Sequence, residues 1–283
     1  MRFQTLKGFF RLLRPYGWLL CFIFILFLIV FQNGQYDFKI MGLAVITVAL
    51  TSAGGYAFND YFDCESDAIE HPERPIPSKQ ITPAQSVIFG ALMFLAASGV
   101  SLLINPLAFE IVVLVIVFLI LYPSIVKKSS GFLSNIAIGF VEGISVAVFA
   151  EAALFQRVSI MSLSFIGFAF VGIGGNVLTD IVGVEGDRKM GLSTLAVTHG
   201  TRTASQVGAL ILFCASIVSI LPYFVGVVSV FYLVPIVLWV CILFYLAVPF
   251  FKEQNVPHTE KRIRMIKASF VLFLIALILG TFA

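Results

Sequence analysis

Asp60, Asp63 and Asp67 stand at i, i+3 and i+7 in the run NDYFDCESD, residues 59–67. On a helix those positions share one face. Three stacked carboxylates repel one another unless a cation sits among them. Oxygen donors in that number suit Mg2+, a hard ion that keeps several waters and is shared with substrate phosphates. A second acidic run, DIVGVEGDR, occupies 180–188. The two runs are in register: GGYAFND (54–60) matches GGNVLTD (174–180), an offset of 120 residues. Asp60 then meets Asp180, Glu65 meets Glu185 and Asp67 meets Asp187, whereas Asp63 meets Gly183. The second cluster is therefore poorer in carboxylates. One acidic run alone is readily a solvated helix end. Two runs matched in register, each with a preceding Gly-Gly, point instead to an internal repeat that presents a pair of metal-binding faces.

Two such faces beside an apolar cavity suit a diphosphate held through Mg2+. The metal neutralises the leaving group, so an allylic diphosphate can ionise to a carbocation. Apolar helix walls hold the isoprenoid tail and keep water from the cation, which an acceptor then captures. Basic residues on the same side would grip the diphosphate. The candidates are Arg74, Lys79, Lys127, Lys128, Arg188 and Lys189. Lys79 and Lys189 read better as anchoring charges at the membrane edge. Lys127, which follows LYPS at the end of an apolar run, reads better as a diphosphate contact.

The elements that must position these residues follow from composition. Of 283 residues, 60% are hydrophobic, 12% are charged and 30 are Phe. The mean hydropathy is +1.04. A soluble domain carries about 25% charged residues. Eighteen basic and 15 acidic side chains cannot supply the surface of a soluble core of this length. That excludes a soluble enzyme, a disordered chain and a nucleic-acid binder. Continuous apolar runs, rather than alternation, argue against an outer-membrane barrel.

The expected fold is an all-α polytopic membrane protein, a bundle of nine transmembrane helices around a central cavity. The expected spans are 16–32, 38–58, 86–104, 107–126, 132–154, 162–179, 205–222, 226–250 and 267–283. They would form two parallel four-helix repeats plus one helix, in a single membrane-embedded domain over residues 1–283. The first run follows Arg2, Lys7, Arg11 and Arg14. It exceeds the roughly 7–15 residues of a signal-peptide core and has no small-residue cleavage site, so it reads as a retained span. The four cysteines, at 21, 64, 214 and 241, show no CxxC pair and no metal or disulfide pattern.

With the N-terminus cytoplasmic, the external loops hold only Lys39 and Arg157, and the other sixteen of 18 Lys and Arg face the cytoplasm. The expected location is the plasma membrane. Four spans separate the two motif loops, 59–85 and 180–204, so both lie on the cytoplasmic side.

At these residues the chain resembles the UbiA superfamily of intramembrane prenyltransferases. The family's first motif, NDxxDxxxD, is matched by Asn59, Asp60, Asp63 and Asp67, and RPIPS (74–78) follows it. The second, DxxDxxxD, is matched by Asp180 and Asp187 but not by Gly183. LRP (13–15) and YPSIVKK (122–128) are similar too, so the resemblance covers nearly the whole chain. It implies a Mg2+-dependent enzyme that moves a polyprenyl group from its diphosphate to a lipophilic acceptor, with no obligatory protein partner. It implies one metal at Asn59, Asp60, Asp63 and Asp67, and a second at Asp180 and Asp187. Arg74, Lys127 and Arg188 would contact the diphosphate. NDYFDCESDAIEHPERPIPS and VEGDRKMGLSTLA are most similar to the archaeal ether-lipid branch, the digeranylgeranylglyceryl phosphate synthases. That branch transfers geranylgeranyl to geranylgeranylglyceryl phosphate. Chlorophyll-type and aromatic quinone-precursor acceptors are the alternatives.

Polar residues inside the expected spans are candidates by default. Glu142 is a candidate acceptor contact or base, as Asn176 and Glu185 are for the acceptor or cavity. Asn135 reads as a cavity or helix-bridging residue. Glu151 and Glu110 read as solvated loop-end acids. A membrane transporter is the alternative from another class, but transporter sites sit near the midplane, commonly between inverted repeats. Here the acids share one side and the repeat is parallel. A scaffold with a degenerate site is the third reading, favoured only by Gly183.

Overall fold

In this computed structural model the described residues are 2–13, 37–127, 130–252 and 256–282. Every regular element among them is helical. They form two compact units. The first holds residues 2–13, 37–127 and 149–157, and the second 130–148, 158–252 and 256–282.

The first unit begins with α1 (Arg2–Leu12), followed by α2 (Phe38–Phe62), the short α3 (Cys64–Glu70), α4 (Pro83–Leu102) and α5 (Pro106–Leu121). Each start is chemically marked. Asp37 accepts from the Lys39 N–H at 2.8 Å to cap α2. Thr82 and Gln85 form a reciprocal capping box, with Pro83 at the first turn of α4. Asn105 caps α5 by accepting from the Ala108 N–H at 2.9 Å. Its amide also donates to the carbonyls of Ala152 and Ala153. One side chain thus satisfies backbone groups at two helix ends. α5 continues as a π-helical turn, Tyr122–Val126, that leads into Lys127. α2 and α4 pack closely enough that a Cβ on Gly54 would lie 3.1 Å from the Gly90 carbonyl.

Next in chain order, α6 (Gly131–Phe140) runs through a π-helical turn, Val141–Ser145, into α7 (Val146–Phe155). The second unit then contains α8 (Ile166–Val182), α9 (Val184–Lys189), α10 (Leu195–His199), α11 (Thr201–Val218), α12 (Leu233–Ala247) and α13 (Val256–Leu279). α8 is its central helix, packed on α6 and α11. A Cβ on Gly174 would lie 3.1 Å from the Gly208 carbonyl of α11, the same spacing found at Gly54. Trp239, Phe250 and Phe273 are buried in this unit, and Trp239 donates to Ser269 at 3.0 Å.

Six described helical segments are long and apolar enough to cross a bilayer: Phe38–Phe62, Pro83–Leu102, Pro106–Val126, Gly131–Phe155, Thr201–Phe224 and Val230–Phe251. They correspond to six of the nine expected spans, with ends that differ where caps and π turns set them. The expected span 16–32 lies outside the described residues. The expected span 162–179 is shifted: residues Ile160–Phe165 form a 3-10 turn, and α8 is a 17-residue apolar helix, shorter than the ~20 residues of a full crossing. The expected span 267–283 is the apolar second half of α13, whose first half carries Glu260, Lys261, Arg262, Arg264 and Lys267.

Candidate functional site

α2 ends where its sequence turns acidic. Asp63 is its C-cap, with φ −92° and ψ 4°, and its N–H donates to the Asn59 carbonyl. The chain re-enters a helix at Cys64, so the acidic run straddles a break rather than lying on one continuous helix. Asp60 and Asp67 are nevertheless both buried, at 1% and 4% exposure. Arg74 holds them together. Its Nη1 lies 2.7 Å from both Asp67 oxygens and 3.7 Å from Asp60 Oδ1. Lys127 Nζ donates to Asp63 Oδ1 at 2.6 Å, and Asn59 Nδ2 donates to Asp63 Oδ2 at 2.9 Å. Burial pushes the Asp67 carboxyl above the usual carboxylate range, opposed by the hydrogen bonds and charge of Arg74. Burial likewise raises the Cys64 thiol, which fits a bystander rather than a thiolate ligand.

The structure therefore assembles Asn59, Asp60, Asp63, Asp67, Arg74 and Lys127 into one cluster in the first unit. Among the described residues, three carboxylates meet two cations there. The donor set fits Mg2+ in chemistry, being hard oxygens with few competing ligands. In geometry the carboxylates turn toward Arg74 and Lys127, and among the described residues no three His, Cys, Asp or Glu converge on one metal position. A metal at this cluster would compete with Arg74 and Lys127 for the carboxylates.

The second unit repeats the frame with different chemistry. α8 ends at Gly183, with φ −89° and ψ 7°, and the Gly183 N–H donates to the Thr179 carbonyl. This is the backbone of Asp63 reproduced 120 positions later. The negative φ does not require glycine, so Gly183 is not explained by backbone strain. Asn135 on α6 donates to Asp180 Oδ2 at 2.7 Å, which makes it a bridge between α6 and α8. Thr194 donates to Asp187 Oδ2 at 3.2 Å. Thr194 was not singled out by sequence, yet the repeat register points to it: Arg74 follows Asp67 by seven residues, and Thr194 follows Asp187 by seven. The loop bearing Thr194 is pinned by the Gly131 N–H, which donates to the Ser193 carbonyl at 3.1 Å.

The remaining candidates separate. Asn176 is half-buried beside Gly175, itself buried with no atom within 4 Å of where a Cβ would stand. Glu185, Arg188 and Lys189 are exposed on α9, and Lys79 is exposed too. Glu142 lies in the Val141–Ser145 turn, and its side chain falls outside the described residues, as Lys128 does. Glu110 is exposed, as expected. Glu151 corrects the sequence reading. It is fully buried rather than solvated, with Arg157 Nε 3.9 Å away. The turn that ends α7 brings Arg157 back toward it.

A family model described as the UbiA prenyltransferase family matches residues 19–280. The digeranylgeranylglyceryl phosphate synthase of Methanothermobacter thermautotrophicus is 31% identical over 271 residues, covering 96% of this chain and 95% of its own. A solved structure concerned with digeranylgeranylglyceryl phosphate synthase in membranes aligns with a TM-score of 0.78 and 27% identity, covering 98% of each chain. A structure of a UbiA homolog from Archaeoglobus fulgidus bound to GPP and Mg2+ aligns with a TM-score of 0.66 and 15% identity, covering 96% of this chain and 99% of its own.

Proposed function

This chain belongs to the UbiA prenyltransferase family, and on that premise we propose that it transfers a geranylgeranyl group from its diphosphate to geranylgeranylglyceryl phosphate in a Mg2+-dependent reaction of ether-lipid synthesis. The observation that carries this reading is the cluster of Asp60, Asp63 and Asp67 gathered by Arg74 and Lys127. The likeness to synthases of that name across almost the whole chain supports this acceptor. An aromatic quinone precursor and a chlorophyll-type acceptor are the competing substrates.

Asn59, Asp60, Asp63 and Asp67 hold one Mg2+ in this reading, and Asp180 and Asp187 hold a second. When bound, the metal neutralises the diphosphate and so favours ionisation of the allylic C–O bond. The chain's own residues do the rest. Arg74 and Lys127 exchange their carboxylate partners for diphosphate oxygens, a change of anion that keeps each cation paired. Arg188, exposed on α9, adds a third cation. Asn59 orients Asp63, Asn135 orients Asp180 and Thr194 orients Asp187, the supporting role that tunes a metal site. Apolar helix walls exclude water from the carbocation. Glu142, Asn176 and Glu185 are the candidate contacts to the acceptor.

The same reading includes one membrane-embedded domain over residues 1–283, nine spans and two parallel repeats offset by 120 residues. The matched helix breaks at Asp63 and Gly183, and the matched glycine contacts at Gly54 and Gly174, support the repeat. The motif side and the N-terminus are cytoplasmic, in the plasma membrane, with no obligatory protein partner. The test is to supply purified protein in lipid with labelled geranylgeranyl diphosphate, Mg2+ and each acceptor in turn. Product with geranylgeranylglyceryl phosphate is expected. Product only with an aromatic or chlorophyll-type acceptor would overturn the acceptor assignment, and no product with any would overturn the reaction.

A further inference from the structure

α1 has two faces with different fates. Gly8 and Leu12 are buried, and Thr5 and Phe9 are half-buried. Leu12 packs with Ala57, Ile76 and Ile81, and Phe9 stacks on Phe89 with ring centroids 5.2 Å apart. A Cβ on Gly8 would stand 2.8 Å from Ile81 Cγ2, so α1 lies directly on the 71–82 loop. Arg11 also donates to the Glu73 carbonyl at 2.9 Å. This loop is the segment that brings Arg74 to Asp67.

The opposite face is exposed. Successive helical residues turn by about 100°, so Leu6 and Phe10 make one strip and Lys7 and Arg11 the adjacent strip. Leu6 is 62% exposed and Phe10 is 72% exposed. α1 carries Arg2, Lys7 and Arg11 and no acid. A strip of large apolar side chains flanked by cations is the pattern of a helix lying in a bilayer interface. In sequence, α1 also leads directly into the apolar run 16–31.

We propose that the outer face of α1 docks on an anionic lipid surface, with Leu6 and Phe10 among the acyl chains and Lys7 and Arg11 at the headgroups, and that this docking steadies the 71–82 loop that carries Arg74. The charge of α1 selects anionic over neutral lipid. The effect on the loop rests on the diphosphate-binding role given to Arg74, whereas the docking does not.

A single spin label at residue 10 (Phe10→Cys, with the four native cysteines replaced by serine) tests the docking in nanodiscs. In discs containing phosphatidylglycerol, the label should be reached by oxygen and shielded from a water-soluble nickel chelate. Lys7→Gln should weaken that shielding, since one basic residue near an anionic surface contributes about fivefold in binding. A label equally open to the nickel chelate in neutral and anionic discs, or one shielded only when a second copy or another protein is present, would overturn the docking. Kinetics test the coupling. Leu6→Gln with Phe10→Gln should raise KM for the prenyl diphosphate about three- to tenfold in anionic discs, and leave kcat nearly unchanged. A shielded label with unchanged KM would overturn the coupling. Failure of the enzymatic reading would show as an inactive wild type and leave the label measurement standing.

Discussion

Replacing Arg74 by Met removes the cation that gathers the first acidic cluster while keeping most of the side-chain volume. Its Nη1 touches both oxygens of Asp67 at 2.7 Å and sits 3.7 Å from Asp60. The Asp67 side chain is only 5% exposed and that of Asp60 only 2%. Stranding one partner of a fully buried ion pair costs about 3–5 kcal/mol. Arg74 itself is 25% exposed, so water screens part of the interaction. A hydrogen bond to a charged group contributes about 1.5–3 kcal/mol, and the expected loss for Arg74→Met is therefore about 2–3 kcal/mol. The assay is thermal unfolding in detergent, with EDTA and again with millimolar Mg2+. In EDTA the midpoint of the variant should fall by several degrees. Mg2+ should then raise the midpoint of the variant more than that of the wild type, because a divalent ion takes over the task of neutralising Asp60 and Asp67. An equal deficit with and without Mg2+, or no deficit in EDTA, would refute the reasoning that Arg74 occupies the place a metal takes.

Other expectations follow from single contacts. Gly131→Ala would place a Cβ 2.5 Å from Thr194 Cα, a backbone atom that cannot swing aside. It should cost about 1–3 kcal/mol in unfolding free energy and weaken turnover by displacing Thr194 from Asp187. Asn135→Leu removes the 2.7 Å hydrogen bond to Asp180. It should reduce affinity for Mn2+, read by electron paramagnetic resonance, by about 10–100-fold. Glu151→Ala empties a fully buried position beside Arg157. Arg157 is 59% exposed and stays solvated, so the loss is that of a buried polar contact, about 1–3 kcal/mol, with turnover per folded molecule unchanged when measured below the unfolding midpoint.

The sequence made the acidic clusters legible because their spacing and their 120-residue register are local or repeated properties. The register even extends to the backbone: Asp63 and Gly183 differ in side chain but cap their helices in the same conformation. What holds the clusters together was less legible. Lys127 reaches Asp63 across 64 positions, and Asn135 reaches Asp180 across 45, so packing alone decides those pairs. Thr194 was hidden because a hydroxyl stands where the first cluster has a guanidinium, although the seven-residue step is the same. Glu151 was misread because its nearness to a loop suggested water, whereas the turn after α7 encloses it. The ends of spans slipped for a similar reason. Hydropathy marks apolar runs, but Asn105, Thr82 and the π turn before Lys127 set where helices start and stop.

The proposed reaction requires Mg2+-dependent binding of a prenyl diphosphate, with roles for Asp60 and for Asp180. Calorimetric binding of a non-ionisable geranylgeranyl thiolodiphosphate tests it directly, using wild type, Asp60→Ala and Asp180→Ala, each with Mg2+ and with EDTA. Binding should require Mg2+ and fall by about 100-fold or more in each variant. Wild-type binding that survives EDTA unchanged, or that both variants retain in full, would contradict it.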